Sequence, residues 1–485
     1  MASPDSRRRR IAEIDEEIAR LQAERQALAD CLTFPVVTLP VEIVSQIFMY
    51  CLPDDPLAPG AFDPAVVLGQ VCRLWRDIAL SLPDLWSSWS LAVDGNIPFG
   101  RVVMGINLWM SRSQNRPLSI RLHHRDGAGN DVSYADECWW ELVSDFEREV
   151  MPSIVPHHRR WKKLELNDPL THLRDLAKVI PTDGLPHLTH LLLGSVQLDW
   201  GANNPDEDEP VTLFADAPQL QNLHLVLEED GGLERFDHVE LPYGQLTSFT
   251  GTSFGSCESL TLLDKAPSLV DCVFYIGSTE HMGIPISSDL PHLQSLKLFT
   301  TGPKVDLAIV LENLTLPALE TLVLGRHQGR VENDLASLLL RSECAIQHFS
   351  CQSMDSDELV DCLEYMPTLM TLDLFDYDQR EVVEVIRHLD FNLDKHGVEL
   401  ISNLQTIAIQ CQKWDKGHEA EFSYNALIAL LQAMSKRRTP LRHFRLVWTS
   451  SLLPRKPNAR EVGNLKDLTK GGMNIYVGTP ERSWI

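Results

Sequence analysis

Ser253 is the residue whose surroundings in this sequence come nearest to a catalytic motif. It stands at the centre of the pattern Gly-x-Ser-x-Gly at residues 251–255, in which a serine between a strand and a helix serves as the nucleophile of α/β hydrolases. Such a serine needs a base to take its proton and an upstream loop to bind the oxyanion, and neither is evident in the sequence. The serine also lies within a repeated phrase. We therefore predict no catalytic residue, and we expect that the protein is not an enzyme.

Metal and cofactor sites are not predicted either. The histidine pairs at 123–124 and 157–158 lack cysteine or carboxylate partners at the spacings that zinc requires. The sequence contains no phosphate-binding loop, no Gly-x-Gly-x-x-Gly and no His-Glu-x-x-His. Its 10 cysteines are spread along the chain without a Cys-x-x-Cys pair, which indicates reduced thiols that pack as small apolar groups. We expect no cofactor.

Charge and composition limit the partners. The net charge is -25, which disfavours binding to a nucleic acid backbone. No apolar run is long enough to cross a membrane, and the first residues lack the apolar core of a signal peptide. These features predict a protein of the cytoplasm or nucleus. With 485 residues, the chain is too long for one compact domain.

Residues 1–34 are predicted to form an amphipathic, coiled-coil-like helix. Ile11, Ile14, Ile18 and Leu21 follow spacings of three and four residues, and Leu28 and Leu32 continue the same seam beyond Arg25. This is the a/d pattern of a coiled coil. Two interpretations stay open: the helix forms a homodimer, or it packs against the next domain of its own chain.

Residues 35–90 are predicted to form a small helical module. A first helix opens at Leu39-Pro40 and carries an apolar stripe through Ile43, Ile47 and Phe48. After a loop at 53–63, a second helix is expected to run from Asp63 to Leu82. A helical hairpin of this length has a small core, so some of its large apolar side chains are expected to meet a partner surface.

The module resembles a known family. Leu-Pro-x-Glu-Ile-x-x-x-Ile-Phe at 39–48 and Val-Cys-Arg-x-Trp-Arg-Asp-Ile-Ala at 71–79 resemble the F-box motif, and Leu-Pro-x-Leu-Trp-Ser-Ser at 82–88 resembles the F-box-like proteins abundant in mushroom-forming (basidiomycete) fungi. The resemblance implies docking on a Skp-type adaptor and, through it, on a cullin–RING ubiquitin ligase. By motif position, it implies that the interface or the core behind it contains Leu39, Pro40, Ile43, Ile47, Phe48, Val71, Cys72 and Trp75. The 53–63 loop is longer than in the compact F-box, so docking could be altered or lost.

Residues 91–450 repeat the phrase Leu-x-x-Leu-x-Leu, mostly at the 20–29-residue spacing of leucine-rich repeats. Each copy predicts a short strand followed by a helix or loop, and stacked copies predict an α/β solenoid with a parallel sheet on its concave side. The first residue of each phrase is expected to anchor the turn, at Leu164, Leu188, Leu220, Leu246, Leu269, Leu293, Leu319, Ile346, Leu369, Leu404 and Leu441. The first coils, to about residue 160, are expected to be degenerate, with helices at Phe99–Arg112 and Ala135–Met151. Residues 451–485 are expected to form a C-terminal tail with little structure.

The positions beside the inward leucines are predicted to face the concave side, where a target would bind. The candidates are His224, Lys297, Phe299, Val323, Asp373, Phe375, Gln410 and Arg445. Their mixture of both charge signs and aromatic rings suits a protein segment better than a phosphate polymer. The sequence therefore predicts a substrate receptor that holds an unknown protein target for a ubiquitin ligase. The alternative is a repeat scaffold without ligase association.

Overall fold

The computed structural model describes residues 4–32, 39–53, 63–93, 99–124, 148–167, 170–181, 184–194, 210–226, 239–278, 286–301, 305, 307–327, 330–390, 401–413, 422–437, 439–449 and 455–485. The chain divides into two compact units, Met1–Arg160 and Trp161–Ile485.

The first unit begins with helices. They are α1 (Pro4–Leu32), α2 (Val41–Tyr50), α3 (Pro64–Val71) and α4 (Arg73–Ser81), followed by one 3-10 turn (Pro83–Trp86). The prediction of one continuous helix from Asp63 to Leu82 is wrong, because Cys72 adopts an extended conformation (φ −156°, ψ 172°) between α3 and α4. The Cys72 Sγ accepts a hydrogen bond from the Trp75 backbone N–H at 3.5 Å, so this residue caps the new helix.

A strand–helix–strand coil follows these helices in the first unit. The parallel strands β1 (Ser88–Val93) and β2 (Leu118–His124) are joined through α5 (Phe99–Arg112). The prediction of a helix at Phe99–Arg112 is confirmed. Most of the helix predicted at Ala135–Met151 lies outside the described residues. The described chain resumes at 148 and contains α6 (Met151–Ile154) and a 3-10 turn (Val155–Arg160).

The second unit contains one long, almost entirely parallel sheet. Its strands, in their spatial order, are β3 (Trp161–Asn167), β4 (His190–Gly194), β5 (Asn222–Val226), β6 (Ser248–Gly255), β7 (Asp271–Ser278), β9 (Ser295–Thr300), β11 (Thr321–Leu324), β12 (His348–Gln352), β13 (Thr371–Asp378), β14 (Thr406–Lys413), β15 (His443–Trp448), β16 (Asn474–Thr479) and β17 (Arg482–Ser483). Among the described strands of this sheet, only β16 and β17 pair antiparallel. A separate parallel pair joins β8 (Ser288–Asp289) to β10 (Leu314–Thr315).

Helices cover one side of this sheet. They are α7 (Leu170–Val179), α8 (Ser256–Lys265), α9 (Ala308–Glu312), α10 (Glu332–Ser342), α11 (Ser356–Leu363), α12 (Gln379–Asp390), α13 (Tyr424–Ser435) and α14 (Ala459–Lys470). From α8 onward each helix contacts the next one along the chain. The predicted mixed α/β architecture with a long parallel sheet is thus confirmed.

The repeated phrase explains why the strands align. In each copy, the residues three and five positions after the anchor point into the core, and strand register brings them side by side: Leu191 pairs with Leu223, and Leu193 with Leu225. All the predicted anchors are buried, and all but one lie two residues before their strands. Leu164 lies inside β3 and pairs with Leu191, so the anchor of that copy is the buried Trp161.

Residues 455–485, expected as a tail, extend the sheet by another coil. Helix α14 begins at an Asn458 cap, and β16 pairs with β15 in register. The guanidinium of Arg455 donates two hydrogen bonds to the carboxylate of Glu461, at 2.8 and 2.7 Å. This contact lowers the pKa of Glu461. The segment is therefore built like the coils before it.

Candidate protein-binding surfaces

The motif residues of the helical module separate into a core and a surface. Phe48 is fully buried in α2, and its ring meets that of Trp75 of α4 edge to face at 5.1 Å. Trp75 and Cys72 are half-buried. Phe48 and Trp75 therefore hold α2 and α4 together, which is the core role that sequence position left open, while Cys72 caps α4.

Other motif residues lie on the surface. Ile43 and Ile47 of α2 are 43% and 38% exposed, although a helix stripe of this kind is normally buried. Leu39, Pro40 and Val71 are exposed as well. Ile43 and Ile47 lie four residues apart on one side of α2. Leu39 lies just before the helix, and these three exposed residues are here called the ridge. The structure thus leaves an apolar ridge in contact with solvent.

The exposure of large apolar side chains is concentrated in this module. Beyond the motif, it includes Val41, Met49, Tyr50, Val67, Leu74 and Leu80. The second unit is much longer, yet among its described residues the exposed large apolar side chains are fewer: Val179, Tyr275, Ile286, Leu340 and Tyr365. Exposed apolar groups gathered in one module are typical of interaction surfaces, so this module is the first candidate surface.

Asp63 fixes the start of α3. Its Oδ1 accepts a hydrogen bond from the Ala65 backbone N–H at 2.8 Å, which caps the helix before Pro64. The carboxyl group is almost completely buried, and this burial raises its pKa to about 6. The module therefore contains a carboxyl group that titrates near pH 6.

The second candidate surface is the side of the long sheet opposite its helices, here called the open face. All eight sequence-predicted target residues lie on it, in two neighbouring rows. The first row, four positions after each anchor, contains His224, Lys297, Val323, Asp373 and Arg445. The second row, two positions further along the strands, contains Phe299, Phe375 and Gln410. The register therefore brings these residues onto one surface.

Four of the predicted residues line a single cavity of about 550 Å³ over β13, β14 and β15: Asp373, Phe375, Gln410 and Arg445. Ala408 lies between Asp373 and Arg445 in the strand register. Because its side chain is only a methyl group, it leaves a gap between the two longer ones. Val447, Thr449 and Pro480 complete the wall. The volume lies within the range of small-ligand pockets, and it is also sufficient for side chains of a bound peptide.

The cavity carries opposite charges on its two sides. Asp373 is partly buried, which raises the pKa of its carboxyl group, while the nearby His348 acts in the opposite direction. The Arg445 guanidinium lies over the ring of Tyr476 at 5.5 Å from its centre. Two strand spacings separate the backbones of Asp373 and Arg445, about 10 Å. The cavity can therefore bind a cationic group on one side and an anionic group on the other.

Aromatic contacts add a feature that the sequence predictions missed. Tyr275 stacks on Phe299 with ring centres 5.0 Å apart and an angle of 18° between the planes. His224 makes a hydrogen bond to the Thr252 hydroxyl at 3.0 Å through its Nε2. Tyr275 occupies the same position of its repeat as Phe299 and Phe375, so alignment of the phrases would have identified it. Tyr476 lies in the segment that was expected to have little structure.

Ser253 belongs to the repeat geometry. It adopts a left-handed conformation (φ 62°) at a register shift after β6 begins, and the next residue, Phe254, is buried. Ser353 and Asp376 adopt the same left-handed conformation at the corresponding point of later coils, before the buried Met354 and Tyr377. In the described residues, no histidine is hydrogen-bonded to Ser253. The conformation of Ser253 is therefore that of a backbone bulge which later coils share, and it does not indicate a catalytic serine.

Among the described residues, no cluster of three or more His, Cys, Asp or Glu side chains is placed to hold a metal ion. No helix in the described ranges combines the length and the apolar character needed to cross a bilayer.

Together, these surfaces define a helical docking module followed by a strand–helix repeat. Comparison with protein families gives the module a name, since residues 36–91 match the family model described as F-box-like. The chain therefore contains an F-box-like domain, which covers α2 to α4 and most of β1. Domains of this type generally bind Skp-type adaptors of cullin–RING ubiquitin ligases and are typical of adaptor proteins without catalytic activity.

The remaining comparisons are less informative. No curated protein matches the chain. Among solved structures, a protein from Bacteroides fragilis is similar at a TM-score of 0.32 with 15% sequence identity, covering 71% of this chain and 84% of its own. A likeness at that TM-score supports no argument about fold or function.

Proposed function

We propose that this protein is a substrate receptor of an SCF-type cullin–RING ubiquitin ligase. The F-box-like domain would dock on a Skp-type adaptor, and the open face of the sheet would hold a protein target. The protein itself performs no chemistry: it supplies proximity between the target and the enzyme that transfers ubiquitin. We place this activity in the cytoplasm or nucleus.

The observation that carries the proposal is the solvent-exposed ridge of Leu39, Ile43 and Ile47 within a domain that matches the F-box-like family. Burying these side chains against a partner would remove apolar area from water. The fully buried Phe48 behind them gives the ridge a rigid support, which reduces the entropy lost on binding.

The open face supports the second half of the proposal. Its rows combine aromatic, polar and oppositely charged side chains, the mixture found where proteins bind exchangeable partners. The 550 Å³ cavity provides one place where a target side chain can be enclosed. We propose His224, Lys297, Phe299, Val323, Asp373, Phe375, Gln410 and Arg445 as target contacts, and we add Tyr275.

The test is reconstitution with purified components. Full-length protein is mixed with a Skp-type adaptor and a cullin–RING core, and the assembly is followed by size-exclusion chromatography. Co-elution of all components would support the receptor function. A folded full-length protein that never co-elutes with the adaptor would refute it and would favour a repeat scaffold without ligase association.

A further inference from the structure

Helix α1 carries an apolar stripe that is exposed to solvent. Ile11, Ile14, Ile18 and Leu21 are 59%, 45%, 47% and 52% exposed. Their spacings of three, four and three residues place them on one face of the helix. An isolated helix with such a stripe is marginally stable in water and gains stability when a partner buries the stripe. None of the described residues covers this stripe.

We propose that two copies of this chain pair through α1 as a parallel, in-register coiled coil. In the heptad, Ile11, Ile18 and Arg25 take the a positions, and Ile14 and Leu21 take the d positions. Isoleucine at a combined with leucine at d favours two-stranded parallel coiled coils. Ile14 departs from this rule at one d position.

The flanking charges favour the parallel orientation. In a parallel pair, Arg10 at a g position faces Asp15 at the following e position of the second copy, and the contact occurs twice by symmetry. Arg25 lies beside Glu24 of the second copy, so its charge at the interface has an acidic neighbour. An antiparallel pair that buries the same four apolar residues would instead set Asp15 against Asp15 and Glu17 against Glu17.

In the single chain, Arg10 is engaged in a weak contact. Its Nη1 lies 2.9 Å from the Glu13 Oε2, and both side chains are more than half exposed. A surface pair of this kind contributes little, so Arg10 is able to exchange Glu13 for Asp15 of the second copy. The coiled coil is short, roughly three heptads, and Arg25 interrupts its seam. We therefore expect a dissociation constant on the order of micromolar.

Sedimentation of the full-length protein tests the pairing. From about 1 to 100 μM, we expect the mass to rise from 54.8 kDa towards twice that value. The variant Ile14→Asp with Ile18→Asp should stay monomeric throughout, a weakening of at least about 30-fold. The control Ala19→Asp with Ala23→Asp adds the same charge on the outer face of α1 and should dimerise like the wild type. A monomeric wild type at 100 μM, or equal masses for the two variants, would overturn the proposal.

A charge reversal tests the orientation. Arg10→Glu should weaken the dimer, and adding Asp15→Lys should restore it, because the parallel pair brings these two positions together. Failure of the second change to restore dimerisation would overturn the parallel arrangement. The inference is independent of ligase association: the Ile14, Ile18 variant should capture the adaptor as the wild type does, so loss of one property is distinguishable from loss of the other.

Discussion

Replacing Ile43 and Ile47 together by aspartate should abolish adaptor capture while leaving the F-box-like domain folded. Both side chains are roughly 40% exposed in the free protein, so each is only partly buried in the domain's own core. An Asp at either position can remain hydrated until a partner arrives. The buried part of each isoleucine is worth about 1–2 kcal/mol. The double variant should therefore lower the free energy of unfolding by about 2–4 kcal/mol, and binding is compared only where the variant is shown to be folded.

The loss of binding can be estimated from the exposed fraction. Full burial of an isoleucine contributes about 1.5–3 kcal/mol, so the part that only a partner can bury is worth about 1 kcal/mol for each residue. The two residues together account for about 2 kcal/mol, or roughly 30-fold in affinity. Desolvation of two unpaired carboxylates at the interface adds several kcal/mol. The combined loss should exceed about 1,000-fold.

Titration of labelled adaptor against full-length protein measures this loss, and circular dichroism during urea unfolding confirms the fold. Two comparisons sharpen the result. Met49→Asp places a single carboxylate at a similarly exposed position, about 160° around α2 from Ile47, and should bind normally. Phe48→Ala should lower stability by about 3–5 kcal/mol, because Phe48 is fully buried against Trp75. Normal capture by the Ile43, Ile47 variant would refute the interface, and equal losses for it and for Met49→Asp would show that the ridge has no special role.

Three further predictions concern the cap, the sheet and the cavity. Burial raises the pKa of Asp63 from 3.8 to about 6, so the folded state binds this proton more tightly than the unfolded state does. Protonated Asp63 therefore adds up to about 3 kcal/mol to the free energy of unfolding below pH 3.8. This contribution is lost as the pH rises to about 6. Asp63→Asn keeps the cap without the charge and should remove that pH dependence in urea unfolding at pH 4 and pH 7; an unchanged profile would contradict the assignment. Gly325→Ala would place a Cβ 2.8 Å from the Phe299 Cα and should cost about 1–3 kcal/mol, whereas Gly463→Ala in α14, with nothing within 4 Å, should be neutral or stabilising; thermal unfolding that ranks them the other way would argue against the packing. Asp373→Arg with Arg445→Asp reverses the charges of the cavity and should change the set of proteins that proximity labelling recovers without affecting adaptor capture; an identical set would exclude the cavity from target recognition.

The core of the long sheet was predictable because it depends on local alternation. In a phrase with leucines at alternate positions, all the leucines lie on one face of the strand, and this face is buried in every copy. The error at Leu164 has the same origin. The copy at 159–167 contains Trp161 followed by Leu164 and Leu166, and the large apolar Trp161 fills the anchor position that other copies give to leucine. Shape and polarity, rather than residue identity, define that position.

Other features depend on contacts between distant residues or on a single backbone choice. The break at Cys72 lies inside a perfectly periodic apolar pattern, so periodicity alone could not reveal it. The cavity requires Asp373, Ala408 and Arg445 to align across three strands whose connecting segments differ in length. The last coil did leave a local signal, since Asn458 and Glu461 have the spacing of a helix-capping pair, and that pattern would have extended the predicted sheet.

The two candidate surfaces differ in the way expected of a permanent and an exchangeable partner. Interfaces that stay assembled are more apolar, whereas transient ones resemble ordinary protein surface with aromatic and charged contacts. The ridge of Leu39, Ile43 and Ile47 is of the first kind, and its exposure favours association of the free domain with a partner. The open face is of the second kind: Asp373 and Arg445 keep it hydrated, and it exposes few large apolar groups. The substrate receptor proposed above would need both kinds of surface, one for a lasting partner and one for targets that are released.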